Sequence, residues 1–386
     1  MQSKQAAHTM PVLKHTPPII GCGAEKNVAH SIGDTFSFKA KLDGEIIEIN
    51  EKEKFVKIKY SNNDIATIDL RSRPIKNSLG GFFITTQLEL TEKAKKTMKF
   101  EKNQILAVDK SFFGENGLGE ISYKSGLLVK VALTPLDQTF EDSLIVTQNL
   151  IEKTSCEVTM MRALSLNTKT TLEKIVSVGE KVQPSSPLAI FENIGDDSDL
   201  ANLLDKIGAD FEESIAALSK NISTAKYAGE VVEIRTYYNR KEEELSESLV
   251  GFINRERNRL EKRKKLAMGT SLDESIKVFM PEYTTRKKVH GEEFDGVLIL
   301  FFIKTINVAG DGDKYVSQAP LKGIVARVLE KGEEPVAEDG EIIDYILSPL
   351  STISRMTVDV YLQLWTHSIL IKTKQNLIEK FKKIKK

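Results

Sequence analysis

The chain has 386 residues, which at roughly 150 residues per domain suggests two or three domains. Hydrophobic residues make up 40%, enough for true cores, while 55 lysines and arginines balance 55 aspartates and glutamates, so the net charge excludes polyanion binding through an overall field. Cys22 and Cys156, the two cysteines, have neither zinc-site nor disulfide-scaffold spacing, which points to a reducing, intracellular setting.

From about Thr35 to Tyr60 apolar and charged residues alternate, with Ile47, Ile49, Val56, Ile58 and Tyr60 assigned to the core phase. The polar stretch Glu51 to Lys54 between them predicts a β-hairpin. Short strands are expected at Ile65 to Ile68, Gly81 to Thr86, Gln104 to Val108, Leu127 to Leu133 and Leu144 to Val146, punctuated at Pro74, Gly114 to Gly119 and Pro135. Residues 1–170 therefore read as mostly sheet. Strands continue over Thr171 to Phe191, with turns at Gly179 and Pro184. Leu200, Leu203, Leu204, Ile207, Phe211, Ile215 and Leu218 then fall at helical spacing, with Asp197 to Asp199 as the N-terminal cap. After a strand at Ala228 to Tyr237, Asn239 to Leu266 predicts a helix polar nearly all round, projecting into solvent or touching a partner.

The last section, from about Glu293, opens with the longest apolar run, Val297 to Ile303, which is far below the ~20 residues of a membrane span and reads as a buried strand. The N-terminus carries no signal pattern, so no membrane role is expected. A loop at Asp311 to Gly323 and a strand at Ile342 to Leu347 precede a helix from about Thr357 through Trp365 to Lys386. Its lysine-rich end suits the helix dipole and could also meet phosphate.

Several motifs invite chemistry. Gly114-Glu-Asn-Gly-Leu-Gly119 does not fit GxGxxG and no strand-turn-helix unit surrounds it, so a turn-rich loop is expected. His8, His15, His30, His290 and His367 show no ligand spacing. Glu141 and Asp142, in Phe140-Glu-Asp-Ser143, sit at a strand edge, where adjacent acids point to opposite faces; they read either as a solvated strand end or as oxygen ligands for Mg²⁺ with substrate phosphates. Lys314 and Lys322 bracket a loop, and converging lysines stabilise charge developing on a transferring phosphoryl group; surface lysines are the bland alternative. Asp311 and Asp313 lack a third acid for a metal triad. Arg355, near a helix start in Ser348 to Met356, is either a phosphate clamp or a loop arginine.

Taken in order, these fragments resemble the C-terminal half of the β subunit of multisubunit RNA polymerases. Pro18-Ile-Ile-Gly-Cys-Gly-Ala-Glu25 resembles P-[LI]-V-G-T-G-M-E. Leu118-Gly-Glu120 and Thr139-Phe-Glu-Asp-Ser-Leu-Ile-Val146 resemble L-G-E and N-F-E-D-[AS]-I-L-[IV]. Gly312-Asp-Lys-Tyr-Val-Ser-Gln-Ala-Pro-Leu-Lys-Gly323 matches G-D-K-M-A-G-R-H-G-N-K-G in length and at both lysines, and Ser348 to Met356 resembles N-P-L-G-V-P-S-R-M. The resemblance thins between about Asp196 and Gly291.

The resemblance implies an α+β, mostly β fold: a double-psi β-barrel active-site domain with a flap-like β/α insertion and a C-terminal helix. Residues 1–170 would form the hybrid-binding first part of the barrel, 171–292 the flap-like domain with projecting helices, and 293–386 the second part with the two-lysine loop. It implies that Lys314 and Lys322 contact the RNA 3′ end and the incoming nucleotide phosphates. Glu141 and Asp142, the latter above all, would lie by the nucleotide-associated magnesium, and Arg355 would reach the triphosphate. Lys4 is the speculative counterpart of a family arginine, without its bidentate fork. The implied chemistry is two-metal nucleotidyl transfer, with the catalytic Mg²⁺ held mainly by a β′-like partner that carries the triple-aspartate motif.

Gln318-Ala-Pro320 replaces Arg-His-Gly of the family loop, so contacts made there are not carried over. The chain opens in what is normally mid-β and stops soon after Ser354-Arg355-Met356, which resembles the split subunits of giant bacteriophages. The expected partners are an N-terminal β fragment, β′-like subunits, a promoter-specificity subunit, template DNA, nascent RNA and nucleoside triphosphates. The expected location is the infected host's cytoplasm or the virion. The basic run Arg255 to Lys265 would face RNA, DNA or a partner, or be merely solvated. The rival reading is a non-catalytic β-barrel protein that binds RNA or scaffolds assembly. A stand-alone hydrolase using Glu141 and Asp142 lacks a second acid at glycosidase-like separation.

Overall fold

The computed structural model describes residues 12–15, 23–76, 83–115, 120–124, 126–192, 220–268, 276, 278–289, 291–317, 321–338, 340–354 and 356–384. The helix expected at Leu200 to Leu218, with its cap at Asp197 to Asp199, lies outside them. The architecture is mostly β with few helices, as the alternation of the sequence implied. No helix among the described residues is long and apolar enough to cross a membrane.

The largest sheet, of seven strands, is built around the apolar run, whose strand extends over Val297–Asn307. It pairs antiparallel with Cys156–Leu166 from Cys156↔Asn307 to Leu166↔Val297, and on its other side with Gly229–Tyr238. Every residue from Val297 to Ile303 is buried because both faces are covered. Val297, Ile299, Phe301 and Ile303 enter one core with Leu249, Phe252 and Ile253, while Leu298, Leu300 and Phe302 enter another with Tyr237 and Phe294. At about 1.5–3 kcal/mol for each large side chain removed from water, this strand is a principal stabilising element.

The expected hairpin forms from Gly44–Asn50 and Phe55–Tyr60, with Ile65–Asp69 and Lys99–Phe100 completing a four-stranded sheet. Its phase differs from the expectation. Ile46 is the core residue, opposite Ile58, whereas Ile47 and Ile49 are exposed. The register shifts between Ile46 and Glu48, and a bulge of this kind places one extra residue in the strand, so simple alternation misassigns Ile47 and Ile49.

The polar helix also differs. A 3₁₀ turn at Glu242–Glu244 precedes a helix at Glu247–Leu266, capped by Ser246, whose hydroxyl accepts from Leu249 N. It does not simply project. Leu249, Phe252 and Ile253 pack into the core beneath the large sheet, and its far end is tied to the hairpin sheet. There Arg263 donates to Glu53 Oε2 (2.9 Å) and Glu53 O (2.6 Å), and Thr67 Oγ1 donates to Ala267 O (2.8 Å). Arg255, Lys262, Lys264 and Lys265 stay on the outer side.

A five-stranded sheet carries the candidate site, in the order Val131–Leu133, Tyr345–Leu347, Ser143–Thr147, Leu321–Leu329, Lys314–Ser317. Its middle strand runs antiparallel to Tyr345–Leu347 and parallel to Leu321–Leu329. Leu144, Val146, Val325, Tyr345 and Leu347 form the core of one face, sealed by Leu150 and Ile151 of the helix Gln148–Thr154. Val360, at the root of the final helix Asp359–Ile384, joins the same core.

Candidate functional site

The two lysines stand on one β-hairpin. Lys314 is the register partner of Ile324, and Val316 that of Lys322. Because alternate residues of a strand share a face, Lys314, Val316, Lys322 and Ile324 all lie on the same side, with the lysines as diagonal neighbours whose Cα atoms sit at about 7–8 Å. Both lysines are exposed, and neither has an ion-pair partner among the described residues. The opposite side of the hairpin is anchored. Tyr315 packs on the core, its phenol shares a hydrogen bond of 2.5 Å with Thr154 Oγ1, and burial pushes its pKa up. At the loop entry Asp313 Oδ2 accepts from Gly310 N (2.8 Å), so Asp313 acts as a turn former.

The acidic pair sits beside this hairpin. Glu141 and Asp142 occupy a turn closed by Ser143 N donating to Phe140 O (3.0 Å), just ahead of the strand Ser143–Thr147. Glu141 adopts φ +50°, so the chain bends here and the strict alternation expected of a strand does not govern these two side chains. Ser143 is the register partner of Ile324, two residues along one face from Lys322, and Ile324 N donates to Asp142 O (3.1 Å). Gly323 makes the approach possible. A Cβ there would stand 2.2 Å from Asp142 O and 2.7 Å from Leu144 Cδ2.

The third motif meets the same turn. Ser348 caps the short helix Pro349–Ile353 by accepting from Leu350 N (3.3 Å), and Pro349 fills its first turn, where a missing N–H is harmless. Ser351, buried in this helix, donates its hydroxyl to Glu141 O. Three segments separated by up to 210 residues thus converge on residues 141–142. Arg355 and Lys4 lie outside the described residues, as do Leu118 and Gly119; Glu120 forms an ion pair with Lys26 of the helix Ala24–Ser31.

The two carboxylates at the turn are oxygen donors of the kind a hard divalent cation takes. Magnesium takes oxygen ligands, with one or two carboxylates plus phosphates and water, and Glu141 and Asp142 fit that limited share. Among the described residues no three His, Cys, Asp or Glu side chains stand together as a metal site. Sequence reasoning did not single out Gly323 and Ser351 as positions that hold this turn in place. Gly323 carried a signal, since a glycine within a strand marks a close backbone approach; Ser351 carried none.

Residues 61–382 match the RNA polymerase Rpb2, domain 6, family, and the chain belongs to that family. It is similar to the DNA-directed RNA polymerase subunit beta of Rickettsia massiliae (strain Mtu5) and of Rickettsia rickettsii (strain Sheila Smith), at 25% identity over 180 residues in each case, covering 44% of this chain and 11% of theirs. The corresponding subunit of Rickettsia felis is 30% identical over 88 residues, covering 22% of this chain and 6% of its own. The matches to these relatives thus span about a tenth of their length or less.

Proposed function

We propose that this RNA polymerase β-subunit-like chain supplies one wall of a nucleotidyl-transfer centre, in which Lys314 and Lys322 bind the RNA 3′ end and the incoming triphosphate. The observation that carries the reading is the shared face of the two lysines next to the Glu141–Asp142 turn. Two ammonium groups aimed at one phosphoryl group each contribute about 4 kcal/mol at ~4 Å and an effective dielectric near 20. That charge is preorganised by the hairpin, so it acts where negative charge develops in the transition state. Asp142, with Glu141, would help hold the nucleotide-associated magnesium, and Arg355 and Lys4 would bind phosphate. When bound, Mg²⁺ supplies Lewis-acid stabilisation of the reacting oxygens in a two-metal reaction.

In this reading the barrel is of the double-psi kind, residues 171–292 form the flap-like part, and a β′-like partner brings the triple-aspartate motif. A further β fragment, a promoter-specificity subunit, template DNA and nascent RNA complete the complex. The Gln318-Ala-Pro320 departure favours a divergent enzyme such as the split polymerases of giant bacteriophages, at work in an infected cell or a virion. In a reconstituted complex, Lys314→Ala or Lys322→Ala should lower single-nucleotide addition by at least about a hundredfold while assembly survives, since a loss of about 2.7 kcal/mol out of the ~4 kcal/mol of one such contact already gives that factor. Unchanged addition by both variants would instead favour a non-catalytic scaffold.

A further inference from the structure

The pose of the acidic turn depends on groups that take no part in the chemistry. Gln138 O accepts from Ser143 Oγ (2.8 Å) and Phe140 O from Ser143 N (3.0 Å), both within the turn. Glu141 O accepts from Ser351 Oγ, and Asp142 O from Ile324 N (3.1 Å). The last two reach in from the short helix and the lysine hairpin. Glu141, at φ +50°, holds a conformation that a residue with a side chain keeps only when its surroundings over-determine it. The neighbouring hydroxyl behaves differently from that of Ser351. Thr352 Oγ1 turns back to Pro349 O (2.7 Å) and shares a bond with Tyr361 (2.6 Å), whereas Ser351 reaches across 210 residues of sequence. In the pattern N-P-L-G-V-P-S-R-M a glycine stands where this chain has Ser351, so the hydroxyl is a feature of this chain rather than of that motif.

The geometry points to Ser351 as a positioning residue for the Glu141–Asp142 carboxylates, one that couples their backbone to the helix leading into Ser354-Arg355-Met356. It rests on the reading of Asp142 as a nucleotide-metal ligand. Carboxylates that contribute only part of a coordination shell depend on where their backbone is held, because the remaining ligands come from phosphate, water and another chain. Loss of the Ser351 hydroxyl leaves the carboxylates in place and loosens their carrier.

The test uses the full chain assembled with its partner subunits. Single-nucleotide addition is measured against Mg²⁺ concentration, and Mn²⁺ retained beside a non-hydrolysable nucleoside triphosphate is counted by electron paramagnetic resonance. Ser351→Ala should raise the half-saturating metal concentration about three- to tenfold in both measurements, the loss expected of one hydrogen bond, with the melting temperature lowered by no more than about 2–4 °C. Ser351→Thr, which keeps the hydroxyl, should stay near the parent value. An unchanged metal dependence in Ser351→Ala, or a shift in Ser351→Thr as large as that of alanine, overturns the inference. Asp142→Asn separates the two levels: if it too leaves metal dependence unmoved, the reading of the acids fails, whereas a shift there with none in Ser351→Ala sinks the positioning role alone.

Discussion

Replacing Gly323 with alanine tests the close approach of the lysine hairpin to the acidic turn. The added methyl would lie 2.2 Å from Asp142 O and 2.7 Å from Leu144 Cδ2, and the first of these is backbone that cannot rotate away. The strands Ser143–Thr147 and Leu321–Leu329 must then separate locally, which also stretches the hydrogen bond from Ile324 N to Asp142 O. Overpacking of this kind costs about 1–3 kcal/mol, and the weakened bond adds about 1 kcal/mol, so a loss of roughly 2–4 kcal/mol is expected. Urea unfolding of the purified chain, followed by circular dichroism with the m-value checked for constancy, measures it. Gly251→Ala is the control. Gly251 lies inside the helix Glu247–Leu266 with nothing within 4 Å of a built Cβ, so alanine there should stabilise by about 0.5–1 kcal/mol. A Gly323→Ala chain within about 0.5 kcal/mol of the parent would refute the packing argument for this junction.

Other consequences are independent of the site. Asp109, buried in the strand Ile105–Asp109, has its pKa raised to about 6 by burial, despite accepting from Ser111 N (2.8 Å) and Gln87 N (3.2 Å). A carboxyl whose folded pKa lies above its unfolded value stabilises below about pH 4 and loses that contribution as pH rises through 6. The stability of Asp109→Asn relative to the parent should therefore rise by about 2 kcal/mol between pH 4 and 6, as read from denaturant unfolding at each pH; a flat difference contradicts the assignment. Arg263→Ala should cost roughly 2–4 kcal/mol, since it removes the bonds to Glu53 across two cores, and proteolysis near residue 268 should accelerate; an unchanged unfolding midpoint would deny the helix its anchoring role. Trp365, the single tryptophan, is 66% exposed on the final helix, so its fluorescence in the isolated chain should be fully quenched by acrylamide, and protection there would contradict its position.

How much of the fold was legible in the sequence depends on the range of the interactions concerned. The run Val297 to Ile303 announced its strand because covering both faces requires apolar residues without interruption, whereas the segment Asp311 to Gly323, expected as a loop, forms a hairpin whose register puts Lys314 and Lys322 on one face. Local alternation failed at Ile46, where a register shift changed the phase, a feature set by pairing with Ile58 rather than by neighbours in sequence. The helix Glu247–Leu266 looked unsupported because its anchors, Glu53 and Thr67, lie about two hundred residues earlier. The bond from Ser351 to Glu141 has the same character. Glycine and serine at these positions look ordinary until the strands are in register, and only then does a missing Cβ or a single hydroxyl acquire a neighbour.

The most direct measurement is a crosslink. An assembled transcription complex carrying nascent RNA with a photoreactive group at its 3′ end is irradiated, and the attachment site on this chain is mapped by mass spectrometry. Attachment is expected within the hairpin of Lys314–Ser317 and Leu321–Leu329, lost when the RNA is lengthened away from the centre. Attachment confined to another sheet, or none on this chain while the complex remains active, would contradict that expectation.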